Sequence, residues 1–99
     1  MSSSPPVRSV HEPRYVVSDD QVATSVGGET VILGLHDGVY YGLDAVGARV
    51  WAMLASPRTV GELVDGIVAE FDVDAARCRA DLTGLLGELE GRGLVRAER

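Results

Sequence analysis

Gly38-Val39-Tyr40-Tyr41-Gly42-Leu43-Asp44-Ala45-Val46-Gly47-Ala48-Arg49-Val50-Trp51 runs a short aromatic strand straight into an amphipathic helix. Val39, Tyr40, Tyr41 and Leu43 suit a pleated, half-buried strand. Asp44 stands where a helix needs an N-cap, and Val46, Val50, Trp51 and Leu54 recur at helical spacing behind it. Working outward from this junction assigns the rest of the chain.

Two tight turns precede the junction. Val22 to Val26 alternates apolar and polar residues, and Gly27-Gly28 is a two-residue hairpin turn in which both positions accept positive φ. Glu29 to Leu35 follows, with Val31, Leu33 and Leu35 on one face and Thr30, Ile32 and Gly34 on the other. His36-Asp37-Gly38 turns the chain into the strand Val39–Leu43. Successive tight turns predict an antiparallel meander in sequence order. Its last strand then has one edge with no partner inside the chain.

Three helices are expected next. The first covers Asp44 to Ala55, and Ser56-Pro57-Arg58 breaks it. Thr59-Val60-Gly61-Glu62 is a capping-box pattern, followed by a stripe of Val60, Leu63, Val64, Ile67, Val68 and Phe71. Asp74 caps the third helix, whose stripe is Cys78, Leu82, Leu85, Leu86 and Leu89. Gly91 and Gly93 stop it, and Leu94-Val95 is expected to pack back as a short tail. The layout is α+β: a three-stranded antiparallel meander followed by three helices, a winged helix-turn-helix. Residues 1–14, with Pro5, Pro6 and Pro13, read as a flexible N-terminal arm, and 15–99 as the domain. Tyr15-Val16-Val17 is expected to dock on the domain edge.

Composition narrows the function. The chain has 99 residues and a net charge of −6, so it lacks the basic surplus of a nucleic-acid binder. A single cysteine excludes a disulfide framework and a multi-cysteine metal site. No apolar run approaches the roughly 20 residues that span a bilayer. The polar start Met1-Ser2-Ser3-Ser4-Pro5-Pro6 is no secretory signal, so a cytoplasmic location is expected.

The chemistry-bearing residues do not assemble into a catalytic set. Cys78 sits on the apolar stripe of the third helix, where core cysteines are inert. His11 lies in the arm and His36 in a turn, neither with a ligand partner at helical or strand spacing. Asp19-Asp20 fits a loop before a strand, and no glycine run makes a phosphate loop. Ala80, Gly84, Gly87 and Gly91 form a small-residue line opposite the leucine stripe, open to two readings: a surface that admits a partner, or compositional bias toward glycine and alanine. A DNA-reading role for the third helix meets a mixed face: Arg77 and Arg79, but also Asp81, Glu88 and Glu90. What remains is the edge of Val39-Tyr40-Tyr41-Gly42-Leu43, which carries neither Lys nor Pro to blunt it. An open edge can take a visiting strand, with backbone groups supplying affinity and neighbouring pockets selecting side chains. The expected work is to hold another polypeptide, not to catalyse.

The Gly38–Trp51 segment resembles that of PqqD-like proteins of lasso-peptide gene clusters, whose typical run is close to Gly-x-Tyr-Phe-Gly-Leu-Asn-x-x-Gly-x-x-Ile-Trp. Val73-Asp74, Arg79-Ala80-Asp81-Leu82, Glu88-Leu89 and Arg92-Gly93-Leu94-Val95 fit the same pattern, so the resemblance covers about residues 15–97. The family is the precursor recognition element of ribosomally synthesised, post-translationally modified peptides (RiPPs). The resemblance implies a stand-alone domain that binds a precursor's leader by strand addition, without cofactor or metal. It implies two partners besides the leader: a separate leader-cleaving cysteine protease and an ATP-dependent lasso cyclase. Leaders of this kind commonly offer a tyrosine, a proline and a leucine as anchors. Carried onto this chain, Val39, Tyr40, Tyr41, Gly42 and Leu43 become the pairing strand. Arg77, Cys78, Asp81, Leu82 and Leu85 become the facing wall of the third helix. Two departures stand out. Tyr41 replaces the more usual Phe, a change expected to matter little, and Ala55-Ser56-Pro57 replaces a Gly-containing turn. Two other readings stay open: a PqqD-type peptide chaperone serving a radical-chemistry enzyme, and, from a different class, a winged-helix DNA-binding regulator.

Overall fold

The computed structural model describes residues 12–98, so most of the arm expected over 1–14, His11 included, lies outside the described residues. The elements are β1 (Arg14–Val17), β2 (Gln21–Val26), β3 (Glu29–Gly34), β4 (Tyr40–Leu43), α1 (Ala45–Met53), α2 (Val60–Glu70), α3 (Ala75–Gly91) and β5 (Val95–Glu98). β2, β3 and β4 form an antiparallel meander in that order. The architecture is α+β, with the meander followed by three helices.

Local chemistry sets the boundaries. Gly27 and Gly28 turn the first hairpin at φ of 60° and 83°, a conformation costly for any residue with a Cβ. Asp44 caps α1 by accepting from the Gly47 N–H at 2.9 Å. Thr59 and Glu62 complete a reciprocal capping box at the start of α2. Asp74 caps α3 by accepting from the Arg77 N–H, also at 2.9 Å. At the far end of α3, Gly93 takes φ of 74°, and the Leu94 N–H returns to the Leu89 carbonyl.

Two features depart from the expected layout. Leu94-Val95 is no mere tail: Val95–Glu98 is a strand, paired antiparallel with Arg14–Val17 from Val17↔Val95 to Arg14↔Glu98. The first three residues behind Arg14 thus dock, but on the chain's own C-terminal strand and not on the meander. Tyr15 also exchanges backbone hydrogen bonds with Arg58, and the Val17 N–H donates to the Leu54 carbonyl. The small second sheet therefore ties the α1–α2 loop to both ends of the domain. The second departure is Val68. It is exposed, so the apolar stripe of α2 is narrower than its sequence spacing suggests.

The core lies between the meander and the helices. Ile32 and Leu43 from the sheet pack with Val50 and Leu54 of α1, Leu63 and Ile67 of α2, and Leu82, Leu86 and Leu89 of α3. The buried face of β3 is Thr30, Ile32 and Gly34, the less apolar of its two. The other face carries Val31 and Leu33, beside Val22 and Val26 of β2 and Tyr40 of β4, and among the described residues no helix covers it.

Candidate functional site

β4 is a true edge. The Gly34 N–H donates to the Val39 carbonyl at 3.0 Å, and stepping by two along the register makes Ile32–Tyr41 and Thr30–Leu43 the hydrogen-bonded pairs. Tyr40 and Gly42 therefore turn their N–H and C=O groups away from β3. These are the main-chain groups that β4 offers to a further strand. The same alternation puts the Tyr41 and Leu43 side chains on the helix side of the sheet and the Tyr40 ring on the outer side.

Beside this edge lies a groove of about 510 Å³. β4 contributes Tyr41, Gly42 and Leu43, and the opposite wall is α3, through Arg77, Cys78, Asp81, Leu82 and Leu85. Ile67 and Val73 line it from α2 and the α2–α3 loop. Asp44, Val46, Gly47 and Asp74 line it where α1 and α3 begin. The lining is mainly apolar, with carboxylates at the rim. Gly47 has a packing reason to lack a side chain: a Cβ there would stand 3.1 Å from Leu43 Cδ2 and 3.2 Å from its Cβ. That close approach lets Leu43 lie against the first turn of α1.

The residues proposed from sequence are mostly brought together. Tyr41, Gly42, Leu43, Arg77, Cys78, Asp81, Leu82 and Leu85 all face one groove. Val39 and Tyr40 do not line it. Val39 precedes the strand and borders a small separate dent with Asp37, Arg92 and Leu94, while Tyr40 is 69% exposed on the outer face. Sequence reasoning missed Asp44, Val46, Gly47, Ile67, Val73 and Asp74 as lining. Two of these, Asp44 and Asp74, were legible as helix caps. That both helix starts open onto the same groove is a tertiary fact.

Two titratable groups that line the groove are shifted. Burial, reinforced by the nearby Asp81 carboxylate, pushes the Cys78 thiol up from its usual value, which leaves it protonated and a poor nucleophile. Tyr41 is also raised: burial is the larger cause, then its hydrogen bond to Glu88 and that carboxylate's charge, with Arg92 opposing. Its hydroxyl donates to Glu88 Oε1 at 2.7 Å. Arg77 and Asp81 approach to 4.0 Å as an exposed i,i+4 pair, a geometry that adds little stability in water. Among the described residues no three His, Cys, Asp or Glu side chains cluster to hold a metal ion, and no helix is long and apolar enough to cross a membrane.

The family model for coenzyme PQQ synthesis protein D (PqqD) matches residues 29–95, from the start of β3 to the start of β5. The chain belongs to the PqqD family. A solved structure described as TbiB1 in complex with the TbiA(beta) leader peptide is similar at 38% identity and a TM-score of 0.75, covering 82% of this chain and 94% of that one. A second, described as lasso peptide synthetase B1 complexed with the leader peptide, has a TM-score of 0.72 over 83% of this chain and 96% of that one. At 16% identity that likeness is one of fold. No curated protein matches the chain. Proteins of the PqqD family are non-catalytic.

Proposed function

We propose that this PqqD-family protein binds the leader peptide of a ribosomally synthesised precursor as a fourth, antiparallel strand beside β4, with leader side chains seated in the groove against α3. The observation that carries the reading is the juxtaposition of an unpaired strand edge and an apolar groove. Tyr40 and Gly42 supply free main-chain donors and acceptors, and Leu43, Leu82 and Leu85 supply the apolar wall. The leader-bound structure of a 38%-identical relative supports it. Titration of a labelled leader peptide, from the precursor encoded beside this chain, into the purified protein tests it. Saturable binding that is lost on charging the groove with Leu85→Asp is the expected result.

The finer reading is lasso-peptide maturation, with a separate cysteine protease removing the leader and an ATP-dependent cyclase closing the ring. The strand-to-helix segment Gly38–Trp51 supports the lasso branch. Geometry supports a role in presentation. An antiparallel strand beside β4 has its C-terminal end at Tyr40, so the chain leading to the core peptide leaves the groove there. That exit adjoins the apolar row of Tyr40, Leu33 and Val22 on the outer face of the sheet. A partner acting on the leader–core junction, such as the protease, would find its docking surface on that face. A DNA-binding role is not supported by charge: Arg77 faces the groove beside Asp81, and the chain carries a net −6.

A further inference from the structure

Tyr41 lies on the helix side of β4 and carries a hydroxyl at the end of its ring. That hydroxyl is not idle. It reaches across the gap between β4 and α3 to donate to Glu88 Oε1 at 2.7 Å. Arg92, one residue past the end of α3, places its guanidinium carbon 5.2 Å from the centre of the Tyr41 ring. Arg92 Nη2 also lies 3.8 Å from Glu88 Oε2. Three side chains thus close a triangle between the edge strand and the C-terminal turn of the helix. Among the described residues, Tyr41–Glu88 is the one side-chain hydrogen bond that joins β4 to α3.

Its position matters more than its strength. β4 is four residues long and, among the described residues, is laddered on one side only, to β3. On its other side lies the groove. At one end of the groove Leu43 is held against α1, and at the other end stands the Tyr41 ring. The ring faces the groove on one side and the small dent beside Arg92 on the other, so it forms the end wall. A strand entering between β4 and α3 needs that gap at a fixed width. A groove already at that width spares the incoming peptide the cost of ordering it.

We infer that the Tyr41 hydroxyl, through Glu88 and Arg92, is a positioning group that holds the β4 edge at the spacing from α3 which the leader strand requires. This rests on the leader-binding reading above. Tyr41 need not touch the leader through its hydroxyl. It acts by fixing the wall.

A mutant cycle on leader binding tests the inference, with a fluorescein-labelled synthetic leader of the precursor encoded beside this chain as the probe. Tyr41→Phe keeps the ring and removes only the hydroxyl, so folding is preserved. It is expected to weaken binding about 3- to 10-fold, the range for one partly exposed hydrogen bond to a charge. Glu88→Ala should weaken it as much. The double variant should be no worse than either single one. Glu88→Gln keeps an acceptor oxygen and should restore most of the loss. Affinity unchanged in Tyr41→Phe overturns the inference. So does a loss in Tyr41→Phe with none in Glu88→Ala, because the leader would then be using the hydroxyl directly. Effects that multiply in the double variant also overturn it. If the wild-type chain binds no leader, the leader reading falls and this inference with it. If it binds and the variants match it, this inference falls alone.

Discussion

The two faces of the meander are built from similar residues and put to opposite use. On the inner face Ile32 has no exposed surface, and Leu43 is buried beside it. On the outer face Val22 is 55% exposed, Val26 66% and Tyr40 69%. Hydrophobicity alone would assign them the other way, since Val31, Leu33 and Leu35 outrank Thr30, Ile32 and Gly34. The helices choose the face. α1 leaves β4 through Asp44 and folds back over Ile32, and Gly47 lets it lie close to Leu43. The inner face becomes core and groove, and the outer face stays exposed among the described residues. An apolar face on a small domain therefore says that something is covered, not by what.

Substitutions should separate the two faces by size of effect. Ile32→Ala removes a fully buried side chain and leaves a cavity. It should cost about 2–5 kcal/mol, read as a lowered midpoint in urea unfolding. A loss under about 1 kcal/mol would mean that the helices do not seal this face. Leu85→Ala is expected to divide its effect. The side chain is half-buried at the groove, so leader binding should fall about tenfold, equivalent to ~1.4 kcal/mol, with a smaller loss of stability. Equal losses in both would make Leu85 core and not wall.

Cys78→Ala should lose about 1 kcal/mol of stability from the missing sulfur and leave precursor processing by the proposed partner enzymes intact. A folded variant that bound leader normally and abolished processing would contradict the non-catalytic assignment. Asp81→Ala removes a rim carboxylate that only approaches Arg77, so the melting temperature should hold while leader affinity falls a few-fold. Unchanged affinity in Asp81→Ala, Arg77→Ala and the pair would take that rim out of the binding surface. The smallest effect is expected on the outer face. Val26→Thr should change stability by no more than about 0.5 kcal/mol and leave leader binding alone. Val22→Asp should also spare leader binding yet slow leader removal by the proposed protease. Normal leader removal with that variant would free the outer face of the proposed role.

The fold was legible wherever a local rule governs. Gly27-Gly28, the caps at Asp44, Thr59 and Asp74, and the leucine stripe of α3 each follow from neighbouring residues, and each is where it was expected. The β1–β5 sheet was not legible, because Tyr15-Val16-Val17 and Val95–Glu98 find each other across the whole chain and each is only four residues or fewer. The groove was half legible. Its β4 and α3 walls come from the open edge and the family motif. Ile67 and Val73 read as ordinary helix and loop residues until the tertiary fold brings them to its floor. Tyr41 marks another limit: the sequence does not show that Glu88, 47 residues away, accepts a hydrogen bond from its hydroxyl.

Backbone amide exchange at single-residue resolution, with and without the leader peptide, tests strand addition most directly. The ladder to β3 already occupies the N–H groups of Tyr41 and Leu43, and leaves those of Tyr40 and Gly42 facing out. Adding leader should therefore slow exchange at Tyr40 and Gly42 by far more than at Tyr41 and Leu43, in an alternating pattern along one strand. Leader binding that leaves Tyr40 and Gly42 exchanging at their free rates, with slowing elsewhere, would contradict the pairing of the leader with β4.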